Sequence, residues 1–548
     1  MGYTLIKRKN KIVFSVMKVV MLMQTPVQEK EQLNIVKEKK WHNIPMLCMF
    51  IVVGFMLIVS GYVGLFMKRP TASPSPASAS TQYNAVSPQL PGGPGVPTAL
   101  NMGMANAPIS VTSLQATQTT APVKQFTLTA QPAHLTLGSR FQTDAWTFNG
   151  MAPGPTLRVR QGDMVVATVV NHLSFGVTIH WHGIDVPNSE DGVAGVTQDA
   201  IKPGQSYTYR FVVDQPGTYW YHSHQFSYEE TTGGLYGALI VDPATPTVHD
   251  DVDDTVELHD WNGPNGQSVF AINDTTGTTN FAAKPGQWVR LRIVNTSNNQ
   301  HLVTLLGAPF MVAALDGHDL NGPQLLTETP LPIGAAQRYD LRFQMPTQGP
   351  VTLVASTDDQ HYTASPNVVI GEGTAPAMLP AVNPKWFDLT TYGVPKPDPI
   401  NVNSHFDATY GITLNYHLGD SLGRSGMVFT LNGKVFPHTG MIMVKEGQLI
   451  RLHLDNQSDL VHPIHLHGHI FTVLTHNGKP LTGSPVHLDT INIQPHDSYD
   501  IAFLANNPGV WMLHCHNLLH AYWGMDMMIM YNVSTPYTIG TTSGNFPD

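Results

Sequence analysis

Cysteine is almost missing from this 548-residue chain, which has two, Cys48 and Cys515. Cys48 lies inside an apolar N-terminal run, so the remainder carries one thiol and an intrachain disulfide framework is excluded there. Charge is scarce too: Asp, Glu, Lys and Arg make up 12%, against roughly a quarter in an average domain. Helix-period patterns are scarce after residue 120. In their place stand short Val/Ile/Thr/Phe runs separated by Gly, Pro, Asn and Asp, the pattern of antiparallel sandwiches. Basic groups are short where a polyanion would need them. Residues 1–69 hold 11 of the 29 basic and 3 of the 39 acidic side chains, leaving 18 against 36, formally −18 with histidines neutral. That balance disfavours nucleic acid and anionic lipid as partners of the main body.

There is a single long hydrophobic run. Met46–Met67 is 22 uncharged residues, about 33 Å as a helix and enough to span a bilayer. Nine basic residues precede it (Lys7, Arg8, Lys9, Lys11, Lys18, Lys30, Lys37, Lys39 and Lys40), and after Lys68 and Arg69 none follows until Lys124. This bias predicts a cytoplasmic basic flank over 1–45, an uncleaved transmembrane helix over 46–67 and an extracytoplasmic remainder at the cell membrane; a cleavable signal peptide has a shorter apolar region. Residues 68–122, rich in Pro, Ser, Ala and Thr, predict a flexible linker.

Histidine, by contrast, is concentrated. Four clusters stand out: His180-Trp181-His182, His222-Ser223-His224, His462-Pro463-Ile464-His465-Leu466-His467, and His514-Cys515-His516 with His520. Side chains i and i+2 of a strand share a face, so each His-x-His aims two imidazoles into one space. Four converging pairs supply eight nitrogens, too many for one metal and about right for three. In His514-Cys515-His516 the thiolate faces away from its flanking imidazoles and serves a separate metal a few covalent bonds distant. With His462, His520 and the thioether of Met525 it makes a blue-copper ligand set. An isolated His-x-His is more often solvated strand surface; four with one embedded cysteine are not. Structural zinc is the competitor, but its knuckle spacings are absent. His469 closes the third cluster without a ligand role, and Met527 to Met530 read as strand packing. His42, His249, His259, His318, His361, His438, His476, His487 and His496 lie outside the clusters and read as surface or turn residues.

A longer-range pattern gives the domain count. Gly162-Asp163 leads to Asn171, Gly286-Gln287 to Asn295, and Gly447-Gln448 to Asn456, each interval enclosing a Val/Ile/Leu-rich strand. A turn and strand repeated at such offsets predicts three copies of one sandwich-like unit.

The chain resembles the three-domain multicopper oxidases, particularly bacterial laccase-like enzymes, over most of residues 123–535. The resemblance rests on His180-Trp-His-Gly183 followed by Asp191-Gly192, on Gly217-Thr-Tyr-Trp-Tyr-His-Ser-His224, on His462-Pro-Ile-His-Leu-His-Gly-His469, and on Gly509-Val-Trp511 through His514-Cys-His516 to His520 and Met525. It implies an all-β chain of three cupredoxin-like Greek-key sandwiches, about 123–243, 250–375 and 385–537, with the second acting as spacer and part of the substrate wall. It implies four coppers: a type 1 ion on His462, Cys515, His520 and axial Met525; a type 2 ion on His180 and His465; and two type 3 ions on His182, His222 and His516 and on His224, His467 and His514. The expected activity is one-electron oxidation of a phenol or aromatic amine, entering at His520 and passing through Cys515, coupled to reduction of O2 to water, by a monomer. Asp191 matches the family's proton-supplying acid, with a plain Asp-Gly turn as the alternative. The second acid that many bacterial relatives carry after the last type 1 histidine is Ala521 here, leaving Glu229, Glu230 or Asp526 as substitutes. A cuprous or ferrous metallo-oxidase shares every copper ligand. A non-enzymatic copper carrier needs only the type 1 set, and the six type 3 histidines oppose it, as they do a copper nitrite reductase.

Overall fold

The computed structural model describes Pro88 and residues 96–548 except 117–119, 140, 264–265, 357 and 359, so the basic flank 1–45 and the transmembrane helix 46–67 lie outside the described residues. Among the described residues no helix is long and apolar enough to cross a membrane.

The described chain is built of cupredoxin-like β-sandwiches, and the three repeated strands are their equivalent centres. Met164–Asn171, Trp288–Asn295 and Leu449–Asn456 each pair in parallel with the first long strand of their unit, Val123–Leu137, Val252–Asn262 and Ala408–Ser421. On the other side each pairs antiparallel, with Ser206–Val212, Arg338–Gln344 and Ser498–Leu504. The glycines that open them, Gly162, Gly286 and Gly447, sit at φ 90, 81 and 87 with open space where a Cβ would be; an L side chain there would be strained by its own backbone. The asparagines close them by an identical device. Each amide oxygen accepts the backbone N–H two residues on (Leu173, Ser297, Ser458), and each amide nitrogen donates to the carbonyl four residues on (Phe175, Asn299, Leu460). Buried Asn in a turn satisfies backbone groups that the ending strand leaves open.

The second sheet of the first sandwich runs Leu157–Arg160, Tyr236–Asp242, Gly217–His222, His180–His182; that of the third runs Met441–Met443, Asp526–Met530, Val510–Cys515, His462–Leu466, Thr490–Ile493. Alternation on these strands decides which side chains face the core. Trp181 is fully buried against Tyr209 and Phe211 at centroid distances of 5.6 and 4.9 Å. A ring of that kind buries about 150–250 Å², worth roughly 4–6 kcal/mol at 25 cal/mol per Å². A one-residue slip would expose it and turn His180 and His182 inward, so the core fixes the outward histidine face.

The linker expected over 68–122 is structured in its described part. Ile109–Ser110 pairs in parallel with Val533–Ser534, Leu100 bridges Ile539, and Met102 and Val111 are buried. Asn101 donates from Nδ2 to the carbonyls of Thr535 and Tyr537. Without charge to solvate, the apolar residues in this stretch gain more by lying on the third sandwich than by remaining in water.

Candidate metal centres

Cys515 and Ile464 are register partners on adjacent antiparallel strands, and His462 lies two residues before Ile464 on the same face. Cys515 Sγ is 3.6 Å from His462 Nδ1 and 3.5 Å from His520 Nδ1, while those two nitrogens are 3.2 Å apart. Ser458 Oγ lies 2.8 Å from His462 Nε2, which leaves Nδ1 to face the thiol. His520 reaches the tripod from the helix Leu518–Tyr522, and the Cys515 N–H donates to the carbonyl of Met525, itself fully buried beside it. One thiol and two imidazole nitrogens within 4 Å, with a buried thioether residue adjoining, can hold one soft-to-borderline metal ion. Burial pushes the Cys515 thiol far up and holds His462 down to about 4 and His520 well below its usual range. The imidazoles are therefore neutral and ligating, and a metal would have to displace the thiol proton.

On the opposite strand faces the other eight histidines meet between the first and third sandwiches. His180, His465 and His467 offer nitrogens within 4.8 Å of one another, as do His224, His467 and His514, and His180, His182 and His222. His467 Nε2 approaches His514 Nε2 at 3.0 Å, and His516 Nε2 approaches His222 Nε2 at 3.4 Å. All eight are buried. His180 Nε2, His182 Nδ1, His224 Nε2, His465 Nε2 and His516 Nδ1 have no hydrogen-bond partner among the described residues. Five orphaned, buried nitrogens in one chamber are costly unless a cation occupies it, and this is the feature that fits a metal cluster. Desolvation, reinforced by repulsion between neighbouring imidazoles, holds His222, His224, His467, His514 and His516 well below their usual range.

Most of the nitrogens that face away from the chamber are held. Asp191, 1% exposed, takes His467 Nδ1 on its carboxylate at 3.1 Å and His180 Nδ1 on its backbone carbonyl at 2.9 Å. His222 Nδ1 lies 2.9 Å from the carbonyl of Ser223, His224 Nδ1 3.1 Å from that of Pro547, and His465 Nδ1 2.9 Å from that of Asp489. His182 is turned the other way, with Nε2 3.0 Å from Asp489 Oδ1 and Nδ1 free. Such partners fix tautomer and ring direction before a metal arrives.

Several groups here carry no sequence signal. Asp489 belongs to no histidine motif, and Arg338 comes from the sandwich expected to act as spacer; it reaches Asp489, which in turn holds His182 and His465. Nor is His259 a surface or turn residue: it is fully buried in the strand Val252–Asn262. His469 has both nitrogens occupied, by the His467 carbonyl and Tyr531 Oη, as its lack of a ligand role requires. Ala521 is buried beside Asp526 and Asp548; burial and the Asp548 charge raise the Asp526 carboxyl, and burial and the Glu229 charge raise that of Asp548. Glu230, fully buried and raised well above the carboxylate range by desolvation, accepts from Ser223 Oγ at 2.5 Å.

A sandwich fold with a thiolate tripod on one face of a strand and an eight-histidine chamber on the other defines a copper protein that moves electrons between two sites. Three family models, each described as multicopper oxidase, match residues 129–246, 246–370 and 397–535. The multicopper oxidase MmcO of Mycobacterium tuberculosis is 30% identical over 463 residues, covering 74% of this chain and 86% of that protein. A laccase of Cryphonectria parasitica is also 30% identical, covering 75% and 82%. The crystal structure of a multi-copper oxidase from Pseudomonas thermotolerans is matched with a TM-score of 0.60 at 28% identity, covering 75% of this chain and all of the other. The chain belongs to the multicopper oxidase family. It is an O2-using oxidoreductase that binds four coppers, one of type 1, one of type 2 and two of type 3.

Proposed function

We propose that this is a laccase-like oxidase of phenols or aromatic amines, with the ligands divided as the resemblance to the multicopper oxidases implies. His462, Cys515, His520 and Met525 would hold the type 1 copper, and His180 and His465 the type 2. His182, His222 and His516 would hold one type 3 copper; His224, His467 and His514 would hold the other. Copper bound there would supply one-electron transfer from a donor and four-electron reduction of O2.

The observation that carries the substrate class is the setting of His520. Its ring stacks on Phe429 at 3.9 Å and 20°, it is 7% exposed, and Leu519 and Met427 stand exposed beside it in sequence and along the Phe429 strand. An apolar, aromatic rim suits a phenol. Leu519, Met427 and Phe429 are all apolar, whereas a ferrous or cuprous ion would be drawn by acids. Electrons entering at the His520 edge pass through Cys515 and two peptide units to His514 and His516. Asp191 holds His180 and His467 and stands as the first proton-bearing group, and Glu230, one hydroxyl from the His222–His224 segment, supplies the acid that Ala521 lacks. The positive-inside bias supports anchoring by 46–67 with the oxidase outside the cell. O2 uptake by one copper-loaded sample given a phenol, Fe(II) and Cu(I) in turn tests the substrate class: the phenol should be oxidised, and uptake with the metal ions alone overturns the reading.

A further inference from the structure

Trp220 stands two residues before His222 on one strand, and alternation puts both rings on the face that meets the histidine chamber. Its indole stacks on His222 at 4.3 Å and 27°, with centroids 5.2 Å from His182 and 5.4 Å from His516. Tyr236, on the neighbouring strand, packs with Trp220, Val294 and Ala336 in one buried cluster. Tyr236 stacks on His259 at 4.3 Å and 21°, and His259 meets Trp261 edge to face at 4.9 Å. Trp261 lines a surface cavity of about 470 Å³ together with Trp146 and Tyr228. Gly234, at φ +115, lets the indole approach; a Cβ there would lie 3.1 Å from Trp261 and 2.5 Å from the Trp146 carbonyl. Four rings thus run from the chamber, across the boundary between the first two sandwiches, to the surface.

Packing alone does not account for this row. Trp220 Nε1 and Trp261 Nε1 are buried without a hydrogen-bond partner among the described residues, a cost that phenylalanine would avoid. What an indole offers instead is ready one-electron oxidation. With no base within reach of Nε1, its radical cation keeps the proton and passes the charge on, where deprotonation would trap it.

We propose that Trp220, Tyr236, His259 and Trp261 conduct electrons from the surface cavity to the histidine chamber whenever O2 reduction is one electron short, sparing the ligand histidines. The inference rests on the chamber being the site of O2 reduction. The fourth electron leaves the Trp220 indole for the oxidant, oxygen that has already taken three electrons at the chamber. Trp261 restores it through the stacked rings of Tyr236 and His259. A phenol in the cavity restores Trp261, losing one electron and releasing its hydroxyl proton to solvent. No bond within the four rings breaks.

The test uses the full-length, copper-loaded Cys515→Ser protein, in which the normal supply is cut. Reduced, mixed with O2 and freeze-quenched, it should show an organic radical by electron paramagnetic resonance, narrowed by ring-deuterated tryptophan and reduced to background by adding Trp220→Phe. No radical, or one unchanged by Trp220→Phe, overturns the proposal. Trp261→Phe, remote from the chamber, covers the case in which the Trp220 variant does not fold: the radical should persist, and added phenol should no longer hasten its decay. Phenol acting equally in both proteins overturns the route to the cavity. Peptide mass spectrometry of wild-type enzyme exposed to O2 without donor should find oxidation at Trp261, moving to His222 and His516 in Trp220→Phe. An identical pattern in the two counts against the proposal. Loss of the underlying reading is separate, because wild-type enzyme would then take up no O2 with any donor.

Discussion

The guanidinium of Arg338 and the carboxylate of Asp489 form a fully buried bidentate pair, Nη1 to Oδ1 at 2.8 Å and Nη2 to Oδ2 at 2.6 Å. Through Nε the same side chain donates at 3.0 Å to the carbonyl of Thr218, so one guanidinium touches all three sandwiches. Asp489 then holds His182 and His465 on its free edge. Coulombic attraction from Arg338 is the main force opposing desolvation, and it keeps the Asp489 carboxyl well below its usual range. The second sandwich is therefore part of the metal centre's support.

Breaking such a pair from one side should cost about 3–5 kcal/mol, because the partner is left charged and buried. Arg338→Met is expected to lower the thermal midpoint strongly, and Arg338→Met with Asp489→Leu to recover much of the loss. A single mutant as stable as wild type would show that Asp489 does not depend on the guanidinium. In the double variant the midpoint should recover while copper at the chamber binds roughly 10- to 100-fold more weakly, since His182 loses the carboxylate that holds its Nε2.

Cys515→Ser separates the two sites. The thiol lies on one strand face and His514 and His516 on the other, so the substitution should abolish the blue colour and donor oxidation while leaving most chamber copper bound. Copper analysis giving about one ion fewer than wild type, with visible absorption gone, is the expected pair of results. Retained blue absorption would remove Cys515 from the ligand set.

Asp191 holds His180 through its backbone carbonyl, which asparagine would keep, and His467 through its carboxylate, which an amide replaces with one neutral oxygen that cannot relay a proton. Asp191→Asn should slow reoxidation by O2 by roughly 10- to 100-fold, the usual effect of losing a group that orients metal-bound histidine, with little change in reduction of the Cys515 site. Stopped-flow measurement of the two half-reactions checks this. Equal rates in mutant and wild type would reduce Asp191 to the turn residue that Asp191-Gly192 also permits.

The contrast between Asp191 and Asp489 shows what could be read in the sequence. The four histidine clusters and the Gly-to-Asn repeat are local: two-residue alternation and a nine-residue strand carry them without knowledge of the fold. The same holds for Cys515, whose neighbours in sequence define both sites. Asp489 and Arg338 act through a contact made only after sandwiches dock, across 151 positions, and their local sequence is ordinary strand or turn. A lone histidine such as His259 has no periodic partner to mark it as buried; aromatic stacking on Tyr236 buries it. The composition of the 96–114 segment suits a spacer, and only the apolar surface it covers decides otherwise.

The N-terminal reading has its own consequence. If residues 46–67 remain as an anchor, intact cells should oxidise a donor that cannot cross the membrane, and activity should sediment with membranes until detergent is added. Native protein found free in the medium, beginning after residue 70, would show that the segment is removed.

Glu257 provides a pH dependence independent of copper. It is fully buried, its Oε2 has no hydrogen-bond partner among the described residues, and desolvation raises its carboxyl from 4.5 to about 8. The folded protein keeps this proton where the unfolded chain has released it, so between pH 4.5 and 8 the native state binds more protons. The stability that the protonated Glu257 contributes is full below pH 4.5, falls as pH rises through that window and is gone above it. Glu257→Gln cannot ionise and should remove the slope. Its advantage over wild type should be small at pH 5 and exceed about 1.4 kcal/mol, the value of one pKa unit, by pH 8. Thermal midpoints of the two proteins at both pH values decide it. A difference that stays constant with pH would mean that Glu257 is already ionised in the fold, paired with a group that the structure does not place beside it.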